Sequence, residues 1–144
     1  MIVCNAENPI AAGVRSTPNE PAILPPSVLA DELFYQMSPE YVLYTVETQY
    51  LARHGVEPQR RVVLSNLSGI VTALADSPKS GYAFIPHYTF LDTNLRPMLS
   101  RLAYFQLDET PLEWSFALMR AKHIPLTREA KAFWNSTMEQ YHHE

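Results

Sequence analysis

The sequence predicts an α/β fold built on a parallel-sheet βαβαβ unit over residues 32–85, and three observations carry that prediction. Short apolar runs alternate with longer segments whose apolar residues recur at helical spacing. The connections between successive runs are long enough for parallel crossovers and too long for hairpins. The runs themselves, ELFYQ, RVVLS and GYAFI, are nearly continuous rather than alternating, as in strands covered on both faces.

Each element has a local reason. Residues 1–5 (MIVCN) form an apolar run expected to be a strand, and residues 8–26, rich in Pro, Asn, Ser and Ala, read as an extended connector. Residues 32–36 begin the unit. Ser38-Pro39-Glu40 then shows a helix-start pattern, with Ser as N-cap, Pro at the first helical position and an acid in the first turn. Val42, Val46 and Tyr50, with Leu43 beside them, form the predicted inward face, and Gly55 closes the helix in the left-handed conformation. Residues 61–65 are the second strand. The next helix starts at Ser65 or Asn66 and carries Leu67, Ile70, Val71 and Leu74 at the spacing of one buried stripe, ending at Ser77-Pro78. Residues 81–85 are the third strand, stopped by Pro86. A short helix or turn region follows over 88–100, interrupted by Pro97, and 102–107 and 113–119 are further strand candidates. Thr127 caps a last helix with Ala130, Phe133, Trp134, Met138 and Tyr141 as its apolar stripe and Arg128, Glu129, Lys131 and Glu139 outside it.

Composition excludes several function classes. The chain has 144 residues, 47% of them apolar, which is enough for one ordinary domain. A net charge of −4 excludes nucleic-acid binding through an overall basic field. The single cysteine, Cys4, excludes an internal disulfide and a multi-cysteine zinc site, and reads as a packed small hydrophobe. No stretch has the length of a membrane span, and the first ten residues lack the basic and apolar regions of a secretory signal, so a cytoplasmic protein is expected. Twelve prolines against four glycines punctuate the elements without low complexity.

Enzyme constellations are missing from the sequence: there is no glycine-rich phosphate loop, no Gly-x-Ser-x-Gly and no His-Glu-x-x-His. No two of the five histidines stand three or four residues apart, and no metal, no cofactor and no catalytic residue is expected. Trp114 and Trp134 read as packing residues. Two places carry binding chemistry, Met37-Ser38-Pro39-Glu40-Tyr41 and Ser65-Asn66-Leu67-Ser68-Gly69. Both are helix starts directly after parallel strands, where unpaired N–H groups and the positive end of the helix dipole face outward. Ligands of open α/β sheets settle outside the carboxyl ends of the strands, although Ser38, Ser65 and Asn66 serve equally well as simple caps. Glu40 suits a donor or cationic group at the first place; the second, with no acid before Asp76, suits an anion.

In order and spacing, these pieces resemble LysR-type transcriptional regulators over most of residues 1–140. Residues 29–90 are similar to the second regulatory subdomain of that family, carried by ELFYQMSPEYVLYTVETQYLARHG, VEPQRRVVLSN and SGIVTALADSPKSGYAFIP, with Gly81 and Pro86 in the expected places. PLEWSFALMRAKHIPLTREAKAFWNSTMEQ resembles the returning strand and C-terminal helix, and MIVCNAENPIA the strand before the family's HPLA segment. DSPKSG replaces a glycine-rich turn, and Asn8 stands where the family has His before Pro9.

The resemblance implies a periplasmic-binding-protein-like subdomain II over residues 27–111, with residues 1–26 and 112–144 forming a partial subdomain I. It implies a regulatory domain that binds a small-molecule effector between two lobes, self-associates as a homodimer or higher oligomer, and meets DNA only through an N-terminal winged helix-turn-helix outside this sequence. Ligand contacts would come from Met37, Ser38, Glu40, Tyr41, Leu43, Tyr44 and Thr45, from Ser65, Asn66 and Ser68, and from Pro86. A stand-alone solute-binding protein of the periplasmic type is the alternative. An enzyme using carboxylates such as Glu40 and Asp92 is a third reading that no spacing recommends.

Overall fold

The structure, a computed structural model, describes residues 1–79, 81–110, 112 and 118–141, with residues 140 and 141 described by backbone alone. The chain divides into two compact units, Met1–Trp114 and Ser115–Glu144. The first is built on a six-stranded sheet of β1 (Ile2–Asn5), β2 (Ala22–Ile23), β3 (Leu33–Met37), β4 (Arg60–Leu64), β5 (Tyr82–Phe84) and β6 (Leu102–Gln106), in the order β2-β6-β1-β5-β3-β4. Helix α1 (Val42–Arg53) connects β3 to β4, α2 (Leu67–Ala75) connects β4 to β5, and the short α3 (Arg96–Leu99) precedes β6. β3 pairs in parallel with both β4 and β5, so the expected βαβαβ unit is present. Since β4 and β5 flank β3, right-handed crossovers carry α1 and α2 to opposite faces.

The core is aromatic at the centre of the sheet. Phe34, Tyr82, Phe84 and Phe105 are fully buried, and Phe34 stacks on Tyr82 with ring centroids 4.9 Å apart. Tyr50 of α1 meets Phe84 edge-on at 5.8 Å. From α2, Ile70, Val71 and Leu74 are buried as the stripe predicts, with Leu67 packed at its edge. Gly55, at φ +67°, ends α1 as expected: its N–H donates to Ala52 O (3.1 Å) and that of Val56 to Leu51 O (2.9 Å), which satisfies two terminal carbonyls. In the second unit, α4 (Arg128–Tyr141) begins behind Thr127, whose Oγ1 accepts from Ala130 N–H at 3.2 Å.

Four expectations differ from the structure. Residues 1–5 do not belong to a separate partial lobe: β1 lies inside the main sheet, antiparallel to β5 and β6. Pairing between segments some eighty residues apart leaves no local trace in sequence. Within 8–26 the chain is not simply extended, since Pro9–Ala11 forms a 3-10 turn behind Asn8 and β2 joins the sheet edge. Helix α1 starts at Val42 rather than at Pro39, and it buries Leu43, Glu47, Tyr50 and Leu51, leaving Val42 exposed. In α4 the half-buried residues include Ala130, Trp134 and Met138, whereas Phe133 is exposed and the Arg120 guanidinium lies 5.3 Å from the Trp134 ring centroid. Of the strand candidate at 113–119, residues 113–117, Trp114 among them, lie outside the described residues, and 118–119 have no regular structure.

Candidate functional site

The register of the parallel strands brings the two predicted places together. Met37 pairs with Leu64, and Ser38 N–H donates to Leu64 O at 3.0 Å, so the turn after β3 and the turn after β4 lie side by side at the carboxyl ends of the strands. Pro86 follows β5 at the same end, because Tyr35 pairs with Ala83.

The two turns differ in how much hydrogen-bonding capacity they leave open. Ser38-Pro39-Glu40-Tyr41 is a closed turn in which Tyr41 N–H donates to Ser38 O at 3.1 Å; Pro at the second position of such a turn explains why the helix is delayed. A hydrogen bond to Ser38 holds the exposed Glu40 carboxyl below its ordinary pKa. Glu40 therefore precedes the helix instead of occupying its first turn. At α2 the cap is Asn66, whose Oδ1 accepts from Gly69 N–H at 2.6 Å. No acid lies in the first turn of α2, and Ser65, Asn66 and Ser68 are exposed. The N–H groups of that turn, with three exposed polar side chains around them, form an anion-accepting end.

Not every expected contact residue is accessible. Thr45 and Tyr41 are exposed and Tyr44 half-buried, but Met37, Ser38, Leu43 and Pro86 are buried. Leu43 and Pro86 line a cavity of only about 20 Å³ together with Val46, Phe84, Ile85 and others, space for one water and no more. They shape the floor of the region.

One residue beneath this region has no counterpart among the sequence-derived candidates. Glu47 is fully buried in α1, and its Oε2 accepts from Met37 N–H at 3.2 Å. Strand N–H groups alternate in direction. That of Ser38 points to β4, so that of Met37 points to the side of β5, which ends at Phe84; the Glu47 carboxyl supplies the missing acceptor. Burial pushes this carboxyl up to about 8, against the opposing pull of the Met37 N–H, so it is the neutral acid at pH 7. Glu47 Oε1 and the hydroxyl of Tyr82 are buried without a hydrogen-bond partner among the described residues, and burial first of all raises the Tyr82 pKa as well. The signal for Glu47 was present in sequence, since 43, 47, 50 and 51 share one helical face.

Among the described residues no group of three His, Cys, Asp or Glu side chains is placed to hold a metal, and no helix is long and apolar enough to cross a membrane. His54 is bonded within the fold: its Nδ1 lies 2.9 Å from Tyr50 O and its Nε2 2.8 Å from Asp108 Oδ2.

An α/β sheet with a turn of open donors at its strand ends places hydrogen-bonding groups where such folds bind ligands. Among solved structures the chain is similar to the Synechocystis PCC6803 CcmR regulatory domain in complex with 2-PG, with a TM-score of 0.72 at 18% sequence identity. The likeness covers 96% of this chain and 61% of that one, and shows that the two share a fold. No family model matches the sequence, and no curated protein is similar to it.

Proposed function

We propose that the chain is part of an effector-sensing regulatory domain of the LysR type, recognising a small anionic molecule rather than transforming it. The observation that carries this reading is the first turn of α2, where open N–H groups, no acid and the exposed Ser65, Asn66 and Ser68 stand at the tips of parallel strands. The shared fold with a regulatory domain solved with 2-PG supports it. In this reading the effector lies against Ser38–Thr45 and Ser65–Ser68, between this sheet and a second lobe. The domain self-associates, acts in the cytoplasm, and reaches DNA through a domain elsewhere in a longer protein.

The test is calorimetric titration of the chain with 2-PG and, separately, with inorganic phosphate. Saturable binding is expected, and Ser68→Asp should weaken it at least about tenfold, because an acid at that position opposes the ligand while favouring the helix. Undiminished anion binding by Ser68→Asp removes the proposed site. Light scattering tests self-association: a monomer at every concentration refutes that part.

A further inference from the structure

A second cavity lies away from the strand tips, and none of its residues belongs to the site above. Helix α1 covers β3 but leaves the same face of the edge strand β4 open. In that register Phe34 pairs with Arg61 and Gln36 with Val63, so all four side chains point to one side, and Val63 is 53% exposed. The result is a groove of about 350 Å³ between the second half of α1, the turn after it, β3 and β4. That volume falls within the lower range of small-molecule sites, roughly 300–1,000 Å³.

The lining has three kinds of chemistry. Its floor and walls are apolar: Phe34, Leu51 and Val56 are buried beside Pro58. Gln36, only 3% exposed, lines the groove and spends its amide weakly. Its Nε2 donates to Thr48 Oγ1 at 3.4 Å, Thr48 in turn donates to Tyr44 O at 2.8 Å, and the Gln36 carbonyl has no partner among the described residues. Arg61 and Glu57 also line the groove and form no ion pair with each other; among the described residues the only hydrogen bond of the Arg61 side chain is Nε to Pro58 O at 3.4 Å. A cation, an anion and a buried acceptor around an apolar floor match a zwitterion with an apolar side chain. A carboxylate pairs with a guanidinium in charge-assisted geometry, and an ammonium has donors for both Gln36 and Glu57.

We propose that the groove between α1 and β4 is a second small-molecule site, for a free amino acid with an apolar side chain: carboxylate on Arg61, ammonium on the Gln36 carbonyl and Glu57, side chain over Phe34. This does not depend on the strand-tip reading. The probe is L-phenylalanine, titrated into the chain by calorimetry beside phenylacetate, which lacks the ammonium, and 2-phenylethylamine, which lacks the carboxylate. Saturable binding of one L-phenylalanine per chain is expected, with both analogues weaker. Arg61→Gln, an exposed change that leaves the core intact, should cost about ten- to a hundredfold in affinity, as should Gln36→Leu. Ser68→Asp should leave it unchanged. Binding lost in Ser68→Asp but retained in Arg61→Gln assigns the probe to the strand tips and overturns the proposal. No saturable binding also overturns it, and if Arg61→Gln then shifts the oligomeric state, the groove is a face between copies of the chain.

Discussion

Helices α1 and α2 follow equivalent parallel strands and yet begin in opposite ways. α2 has a side-chain cap, Asn66, at once after β4, an uninterrupted apolar stripe and open donors at its first turn. α1 has no side-chain cap, starts at Val42 directly after the closed Ser38–Tyr41 turn, and sets an acid, Glu47, into its buried stripe. The difference separates two tasks. The α2 end offers open N–H donors on a conventionally packed helix. The α1 end is a polar turn, braced from below by a neutral carboxylic acid that accepts from Met37 N–H. Topology supplies two helix starts at the carboxyl edge of the parallel strands, and the side chains leave only one of them open.

The largest effect should come from the packed face of α2. Leu74 is fully buried, and Leu74→Ala removes its contacts and leaves a void, at a cost of about 3 kcal/mol in denaturant unfolding. The corresponding change on α1, Val42→Ala, strikes a residue 68% exposed and should stay within about 0.5 kcal/mol. Comparable costs at the two positions would dissolve the contrast between the helices.

Next in size is the acid in α1. The Glu47 carboxyl titrates at about 8 in the folded chain and at about 4.3 when unfolded. Between those values the folded state binds the extra proton, so this group makes stability fall as pH rises, by roughly 1 kcal/mol per unit, and level off above about 8. Glu47→Gln keeps an acceptor for Met37 N–H and carries no titratable proton. It should therefore match the native chain near pH 5 and exceed it by about 2–3 kcal/mol at pH 8, read from unfolding midpoints at the two values. A constant difference across that range would mean that Glu47 is ionised in the fold.

How far the sequence foretold this contrast depends on how local each feature is. Asn66, Gly55 and the 70-71-74 stripe act within one or two turns of chain, and each was legible. Ser-Pro-Glu satisfies the rules for a helix start and for a turn with Pro in second place, and local preference does not choose between them; the bond from Ser38 N–H to Leu64 O belongs to the neighbouring strand. Glu47 hid for a different reason: a charged side chain interrupts an apolar pattern even where its spacing fits, and only burial turns it into a neutral acid. Ser38, Ser65 and Asn66 were placed correctly at the strand tips because any loop after a parallel strand must lie there. That Leu43 and Pro86 form a floor depends on packing, which sequence spacing does not resolve.

The smallest effect tests the α2 start itself. Asn66→Ala removes the oxygen that accepts from Gly69 N–H and should cost about 1 kcal/mol. Gly69→Ala alone brings two terms of opposite sign. Alanine is the better helix former by about 1 kcal/mol, but its Cβ would lie 2.8 Å from Asn66 Oδ1, so the cap must give way and the two terms nearly cancel. Once Asn66 is already alanine nothing remains to be displaced, and the same Gly69→Ala change should stabilise by about 1 kcal/mol. The four chains form a double-mutant cycle whose coupling term isolates the contact between cap and glycine. If Gly69→Ala has the same effect in both backgrounds, the close approach of Asn66 to Gly69 contributes nothing, and the open first turn of α2 owes its shape to the strand before it.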